Sequence, residues 1–273
     1  MNTSPLTCPV CAHPLLQDRS ALKCRLGHSF DLSAKGYANL LTDPQRNSQS
    51  PGDSHEMVAA RRRFLDSGAY GVLGTALADP IRKHGSEIHV LVDAGCGEGA
   101  WTCYAREALP EPETLIYGMD ISKDAIRFAS GRNRRIDWIV ASLFHLPLSD
   151  GSTDCLMNVF APSSDAEFAR VLRKDGILVT AIPGRTHLWG LKRVLYEEPY
   201  ENDESLPELP SFLLQDVARV DGSLKLTGQD TLKDLLAMTP YFWRSPKAGI
   251  DRLSCLDSLE TPISFVVATH RKR

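Results

Sequence analysis

The segment VLVDAGCGEGAW, residues 90 to 101, restricts the folds available to this chain more than any other. Val90, Leu91 and Val92 are the aliphatic run of a buried strand, and Asp93 closes it. Gly95, Gly97 and Gly99 then allow a sharp turn with no Cβ in the way of a ligand. A helix is expected over about 98 to 109. Strand, glycine turn and helix N-terminus together suit a nucleotide-like ligand. The spacing is G-x-G-x-G, not the dinucleotide pattern G-x-G-x-x-G, and Glu98 stands inside the turn. An acid is awkward beside a pyrophosphate. It suits a ligand with positive charge, such as the sulfonium and amino group of S-adenosylmethionine.

Downstream, strands and helices alternate. TLIYGMDIS is a strand ending at Asp120, 25 residues after Gly95, where an acid accepts both ribose hydroxyls of a nucleoside. Ser122 is placed to cap the next helix. IDWIVASLFHLPL is a third strand meeting its loop at Ala141 and Ser142, and STDCLMNVFAP a fourth, closed by Pro162. DAEFARVLRKDG reads as a helix, ILVTAIPG as a fifth strand and ISFVVATH as the final one. The short connections predict an α/β fold with a doubly wound parallel sheet. EEPYENDESLPE, with six acids and no base, reads as an exposed loop. The chain has 273 residues, enough for one medium domain with a small appendage.

The appendage is legible at the N-terminus. Cys8-x2-Cys11, twelve residues, then Cys24-x3-His28 place two ligand pairs around one tetrahedral Zn2+. His13 is a competing donor that fits the pairing less well. A closed Cys3His shell makes the zinc structural, and the metal should supply much of the module's folding energy. In SFDLSAKGYANLL, the side chains either pack the module onto the next domain or offer Tyr37 and Lys35 to RNA. Residues 42 to 54 are polar and read as a linker or a loop near a site. The next helix carries Met57, Ala60, Phe64 and Leu65 on one face and Arg61, Arg62 and Arg63 on another arc. Those arginines are either a solvated face or phosphate contacts. Three of the seven cysteines crowd the N-terminus and four are scattered, which fits a reduced cytoplasm and not a disulfide framework. No secretory signal and no apolar run long enough for a bilayer is visible. The net charge of −3 decides nothing about nucleic acid.

DAGCGEG, the acid of GMDIS, the LPL loop and RVLRKDGILVTAIP resemble class I S-adenosylmethionine methyltransferases over about residues 88 to 185. Cys8, Cys11, Cys24 and His28, with FDLSAKGYANLL, PGDSHEMVAARRRFLDSGAY, FAP and PGRTHLWGLK, narrow this. Together they resemble the bacterial 23S ribosomal RNA guanine-N1 methyltransferases, a family that includes macrolide-resistance members. The resemblance implies a Rossmann-like, mainly parallel seven-stranded sheet behind a zinc module, with 23S rRNA as partner. The expected layout is a module over 1–41, a linker and helix over 42–75, and a methyltransferase domain over 76–273. It further implies that Tyr70 lies over the cofactor, that Glu98 and Gly99 line its turn, and that His187 approaches from the far side. Ser142 stands where many class I enzymes carry an acid for the adenine amino group. Asn158 occupies the polar start of the adenine-N6 motif without the rest of it. A homodimer is left open. No general base is identified; Asp43, Asp53 and Glu56 are candidates. Phe160, Tyr37 and Trp189 are candidate stacking faces for a splayed-out base. Two rivals remain, a small-molecule methyltransferase and a non-catalytic zinc-and-nucleotide-binding protein. Arg61 to Arg63 with Arg132, Arg134 and Arg135 favour RNA over the first, and intact Asp93, Gly95, Gly97 and Asp120 argue against the second.

Overall fold

A computed structural model describes residues 4–42, 52–110 and 113–273. Strands β1 (Leu16–Asp18), β2 (Ala21–Lys23) and β3 (Ser29–Asp31) form a small antiparallel sheet in the order β1-β2-β3. The two-residue strand β4 (Ala38–Asn39) follows. Helix α1 (His55–Asp66) is capped by the Ser54 hydroxyl, which accepts from the Met57 N–H, and buries Met57, Val58, Ala60 and Phe64. After α2 (Gly71–Lys83) the chain runs β5 (Val90–Ala94), α3 (Ala100–Ala108), β6 (Leu115–Asp120) and α4 (Lys123–Ala129). It continues through β7 (Asp137–Val140), β8 (Thr153–Val159), α5 (Asp165–Val171) and β9 (Leu172–Pro183). Last come α6 (Trp189–Leu195), β10 (Phe212–Thr227), α7 (Gln229–Ala237), α8 (Tyr241–Arg244), α9 (Lys247–Ser254) and β11 (Ser258–Lys272).

The main sheet has the order β10-β11-β9-β8-β5-β6-β7-β4. Pairing is parallel from β4 through β9, and β11 joins antiparallel to β9 and β10. Seven strands belong to the expected domain. The eighth differs from the sequence reading: β4 comes from the front module and pairs in parallel with β7, Ala38 opposite Ile139. Leu40 N–H then donates to the Val140 carbonyl at 2.9 Å, and Leu6 bridges Leu148. Leu6, Leu15, Leu22, Cys8 and Cys24 share one buried cluster with Ile139, Leu146 and Leu148, so the module is packed into the edge of the sheet. The helix expected over 165 to 176 ends at Val171. Leu172 is captured by pairing with Thr153, and Asp175 turns in the left-handed region at φ 62°.

Strand order reverses at β5, which lies between β6 and β8. The crevice beyond the carboxyl ends of such strands is where open α/β sheets bind ligands. There the glycine turn presses on Trp138. A Cβ on Gly99, which has φ 87°, would stand 2.5 Å from the indole, and one on Gly118 would stand 2.3 Å away. The indole is buried, and its N–H donates to the Asn133 carbonyl at 3.0 Å. Gly118→Ala should therefore overpack a rigid ring and destabilise the chain by about 1–3 kcal/mol. A urea midpoint equal to wild type, followed by indole fluorescence, would contradict this packing.

Candidate cofactor cavity and metal centre

The structure brings the four expected zinc ligands together. Cys8, Cys11, Cys24 and His28 bring one donor atom each within 4.8 Å of one another. Cys11 Sγ lies 3.7 Å from Cys24 Sγ, and His28 Nδ1 lies 3.5 Å from Cys8 Sγ and 3.4 Å from Cys24 Sγ. Zn–S bonds of about 2.3 Å and Zn–N bonds of about 2.0 Å require donor separations of this order. The thiols are free, so no disulfide competes. His13, the rival donor, instead faces the Arg25 guanidinium through its Nε2.

At the switch point lies a cavity of about 770 Å3, within the range of small-molecule sites. Tyr70, Gly95, Gly97, Glu98, Asp120, Ser142 and His187 line it. Asp93 and Gly99 do not. Asp93 is buried and accepts the Thr102 hydroxyl at 2.6 Å, bracing α3, while Gly99 faces Trp138. Burial pushes the Asp93 carboxyl up to about 7. Asp120 accepts the Gly97 N–H at 2.9 Å and the Ser122 N–H at 2.8 Å. Burial raises its carboxyl, and those two N–H groups oppose the rise. Both carboxylate oxygens keep a lone pair for a ligand hydroxyl. Ser142 Oγ accepts the Phe144 N–H at 3.3 Å.

Glu98 does not stand free for a cationic ligand. Its buried carboxylate is gripped by the Arg132 guanidinium, which also donates to the Glu98 carbonyl at 2.9 Å and pairs with Asp66 at 2.7 Å. Burial raises the Glu98 carboxyl, and Arg132 works against that rise. The glycine turn thus carries an acid already neutralised. Tyr70 and His187 meet, Oη to Nε2, at 3.1 Å. Burial drives the imidazole down to about 3, so it is neutral. Nδ1 accepts the Ser264 N–H at 3.3 Å, which leaves the proton on Nε2 to donate to Tyr70. The Tyr70 hydroxyl proton is then free for an acceptor in the cavity.

Of the three arginines, only Arg61 reaches the cavity, paired with Asp53 at 2.6 Å. Arg62 donates to the Phe128 carbonyl at 2.9 Å, and Arg63 forks onto Asp234 at 2.6 and 2.9 Å. Arg134, Arg135 and Lys35 are exposed, and Arg132 is committed to Glu98. Of the candidate bases, Asp53 lines the cavity, Glu56 does not, and Asp43 lies outside the described residues. Of the stacking faces, Phe160 lines it, 43% exposed and at φ 54°. Tyr37 is buried in the core, and Trp189 is not a lining residue. Asn158 is structural. Its amide donates to the Ala94 and Pro162 carbonyls at 2.9 and 3.1 Å, tying the end of β8 to that of β5.

The acidic segment 197–208 is a mostly exposed loop, as read from the sequence, and within it Tyr200, Glu201, Asn202 and Asp203 also wall the cavity. It is held there from below. Lys192, fully buried, donates to the Tyr200 carbonyl at 2.8 Å and to Asn202 Oδ1 at 2.6 Å. Asn202 in turn donates to the Gly184 and His187 carbonyls at 2.9 and 3.1 Å. The sequence did hold a signal: Lys192 falls on the same helix stripe as Leu188, Leu191 and Leu195, where a lysine is out of place.

Two expected outcomes follow. Cys24→Ser should lose the single zinc and lower the thermal midpoint of the whole chain, because Cys24 belongs to the cluster shared with β7. Metal analysis finding no zinc in wild type purified without chelator contradicts the centre. The second concerns Asp93, whose folded pKa of about 7 exceeds the reference value of 3.8. The folded chain then binds the extra proton between those limits, and stability falls as pH rises through them. Asp93→Asn removes that slope, so its stability relative to wild type should increase from about pH 4 to pH 7. Urea titrations giving a constant difference across that window contradict a buried, proton-binding Asp93.

The chain is similar to known proteins along most of its length. Residues 6–49 match the family model of the RlmA N-terminal zinc ribbon, and residues 91–176 match a methyltransferase domain. The 23S rRNA (guanine(748)-N(1))-methyltransferase of Streptomyces fradiae is 35% identical over 87% of this chain and 85% of its own length. The Bacillus subtilis protein YxjB, whose name places it provisionally among 23S rRNA (guanine-N(1)-)-methyltransferases, is 32% identical over 94% of this chain and 93% of its own. The YcgJ structure from Bacillus, 16% identical, superposes with a TM-score of 0.51 over 73% of this chain and 99% of its own, which supports the fold. With such identity along nearly its whole length, a zinc ribbon in front and a methyltransferase cavity behind, the chain belongs to the 23S rRNA (guanine-N1)-methyltransferase family.

Proposed function

We propose that this chain methylates N1 of a guanine in 23S ribosomal RNA, and that its ligand-binding residues are those gathered at the switch point. S-adenosylmethionine supplies an electrophilic methyl group when bound. The observation that carries the assignment of its site is Asp120. Its carboxylate is fixed by two backbone N–H groups beside the glycine turn and faces the cavity. It would accept the ribose hydroxyls, with Ser142 toward the adenine end. Tyr70, oriented by neutral His187, would donate to the acceptor atoms of the methionine end. Gly97 would let the ligand come close to the backbone, whereas Gly95 makes room for Ala161. Glu98, held by Arg132, gives the turn its shape, with its charge already neutralised.

Guanine N1 carries a proton that must leave as the nitrogen lone pair meets the methyl group in line. Positioning and water exclusion supply most of the rate in such a step. The acceptor base would be splayed from its loop to enter the cavity. Of the three arginines, Arg61 alone lines the cavity and would be the one to meet a phosphate there, in exchange for its present partners, Asp53 and the Met238 carbonyl. No helix is long and apolar enough to cross a membrane among the described residues, and a ribosomal RNA substrate supports a cytoplasmic location.

N1-methylguanine cannot pair, so reverse transcription of 23S rRNA treated with the protein and S-adenosylmethionine should stop at one guanine. Asp120→Ala should weaken S-adenosylmethionine binding about tenfold to hundredfold, as expected for a lost charge-assisted hydrogen bond, and dim the stop in proportion. Absence of any new stop with wild type overturns the reading.

A further inference from the structure

The cavity has two ends. Asp120 and Ser142, at the ends of β6 and β7, occupy one. Beyond β8 and β9 the walls are Phe160 and Pro183 on one hand and Tyr200 and Tyr241 on the other. That second end is left for the acceptor. Tyr200 is 49% exposed there, yet it does not swing freely. Its carbonyl accepts Lys192 Nζ at 2.8 Å, and the same ammonium lies over its ring, 4.2 Å from the centroid. A second ring, Tyr241, stands 5.4 Å from that ammonium, and its hydroxyl donates to Asn202 Oδ1 at 3.2 Å.

Lys192 is the unexpected part. It is fully buried and has no ion-pair partner among the described residues. The acids of the neighbouring loop are taken elsewhere: Glu201 and Glu204 pair with Arg185, and Glu204 also with Arg219. A buried ammonium without a carboxylate is destabilising, and a methionine would fill the same volume without that cost. What the lysine adds is a cation behind an aromatic ring. The ring's π density is drawn toward the ammonium. Tyr196 packs tilted against the same ring, 5.4 Å between centroids. The exposed part of the ring that lines the cavity is suited to stacking an electron-rich base, and guanine is the most electron-rich of the four.

We propose that Tyr200 is the face on which the target guanine stacks, and that Lys192 is the positioning residue that fixes the ring and polarises it from behind. This rests on the RNA methyltransferase reading above. Aromatic stacking of a base is sequence-tolerant by itself; the cation behind the ring biases it toward guanine.

The test uses the full chain, S-adenosylmethionine and the 23S rRNA hairpin bearing the guanine identified by the reverse-transcription stop. Tyr200→Leu should raise KM for the hairpin about tenfold or more, the scale of one lost base–aromatic stack, with cofactor affinity unchanged. Tyr200→Phe, which keeps the ring but loses the hydroxyl contact with Tyr196, should raise KM for the hairpin less than Tyr200→Leu does. Lys192→Met should keep or raise the thermal midpoint while KM for RNA rises. A lysine that served only packing would show the reverse, a lower midpoint with KM unmoved, and that result overturns its part. Tyr200→Trp gives a reading that does not depend on the leucine variant folding. Its added emission should be quenched by the hairpin and not by the same hairpin abasic at the target. Equal quenching by both, or a wild-type KM for Tyr200→Leu, overturns the platform alone. A wild-type chain that leaves guanine N1 unmethylated removes the methyltransferase reading and the platform with it.

Discussion

Two backbone N–H groups, of Gly97 and Ser122, end on one carboxylate, Asp120. That convergence joins the glycine turn after β5 to the start of α4 after β6, so the two loops of the switch point cannot move apart independently. It also bears on the acid's chemistry: burial raises the Asp120 carboxyl, and the two fixed donors work against that rise by favouring the charged form. The remaining features act around this point. Trp138 presses on Gly99 and Gly118 from beneath, Arg132 neutralises Glu98, and Asn158 ties β8 to Ala94 alongside. Each fixes a backbone position that would otherwise wander in a turn built of three glycines.

Much of this was legible in the sequence because the relevant signals are local. Cys8, Cys11, Cys24 and His28 announce a metal by spacing, and Val90 to Gly99 announce a strand and a turn by composition. Asp120 follows from its place at the end of the second strand. What failed to show is what depends on partners distant in the chain. Glu98 looked available for a cationic ligand because Arg132, 34 residues away, was not visible as its partner. The run Arg61 to Arg63 looked like one patch, but a helix sends adjacent side chains to different faces, and each found a different partner. The acidic segment 197–208 is the mostly exposed loop the sequence suggests; that it also walls the cavity was hidden because its anchor, Lys192, is buried on the preceding helix.

The Tyr70–His187 pair shows a third kind of gap. The resemblance implied both residues, but not that they touch or which nitrogen carries the proton. That follows only from the Ser264 N–H on the last strand, which fixes the tautomer. A strand at the end of the chain therefore orients a hydroxyl contributed from its first third.

The parallel pairing of β4 with β7 has a consequence for how such a chain arises and is dissected. A ribbon that merely preceded an enzyme would be a portable cassette, exchangeable between catalytic halves. Here the ribbon is the sheet's end-piece, covering backbone donors and acceptors that Asp137–Val140 would otherwise present to any passing strand. Truncation before residue 42 would leave a catalytic half with an adhesive rim. The module that carries the four metal-ligand side chains thus covers the edge of a sheet whose ligand cavity opens at the end of the adjoining strand, at Ala141 and Ser142.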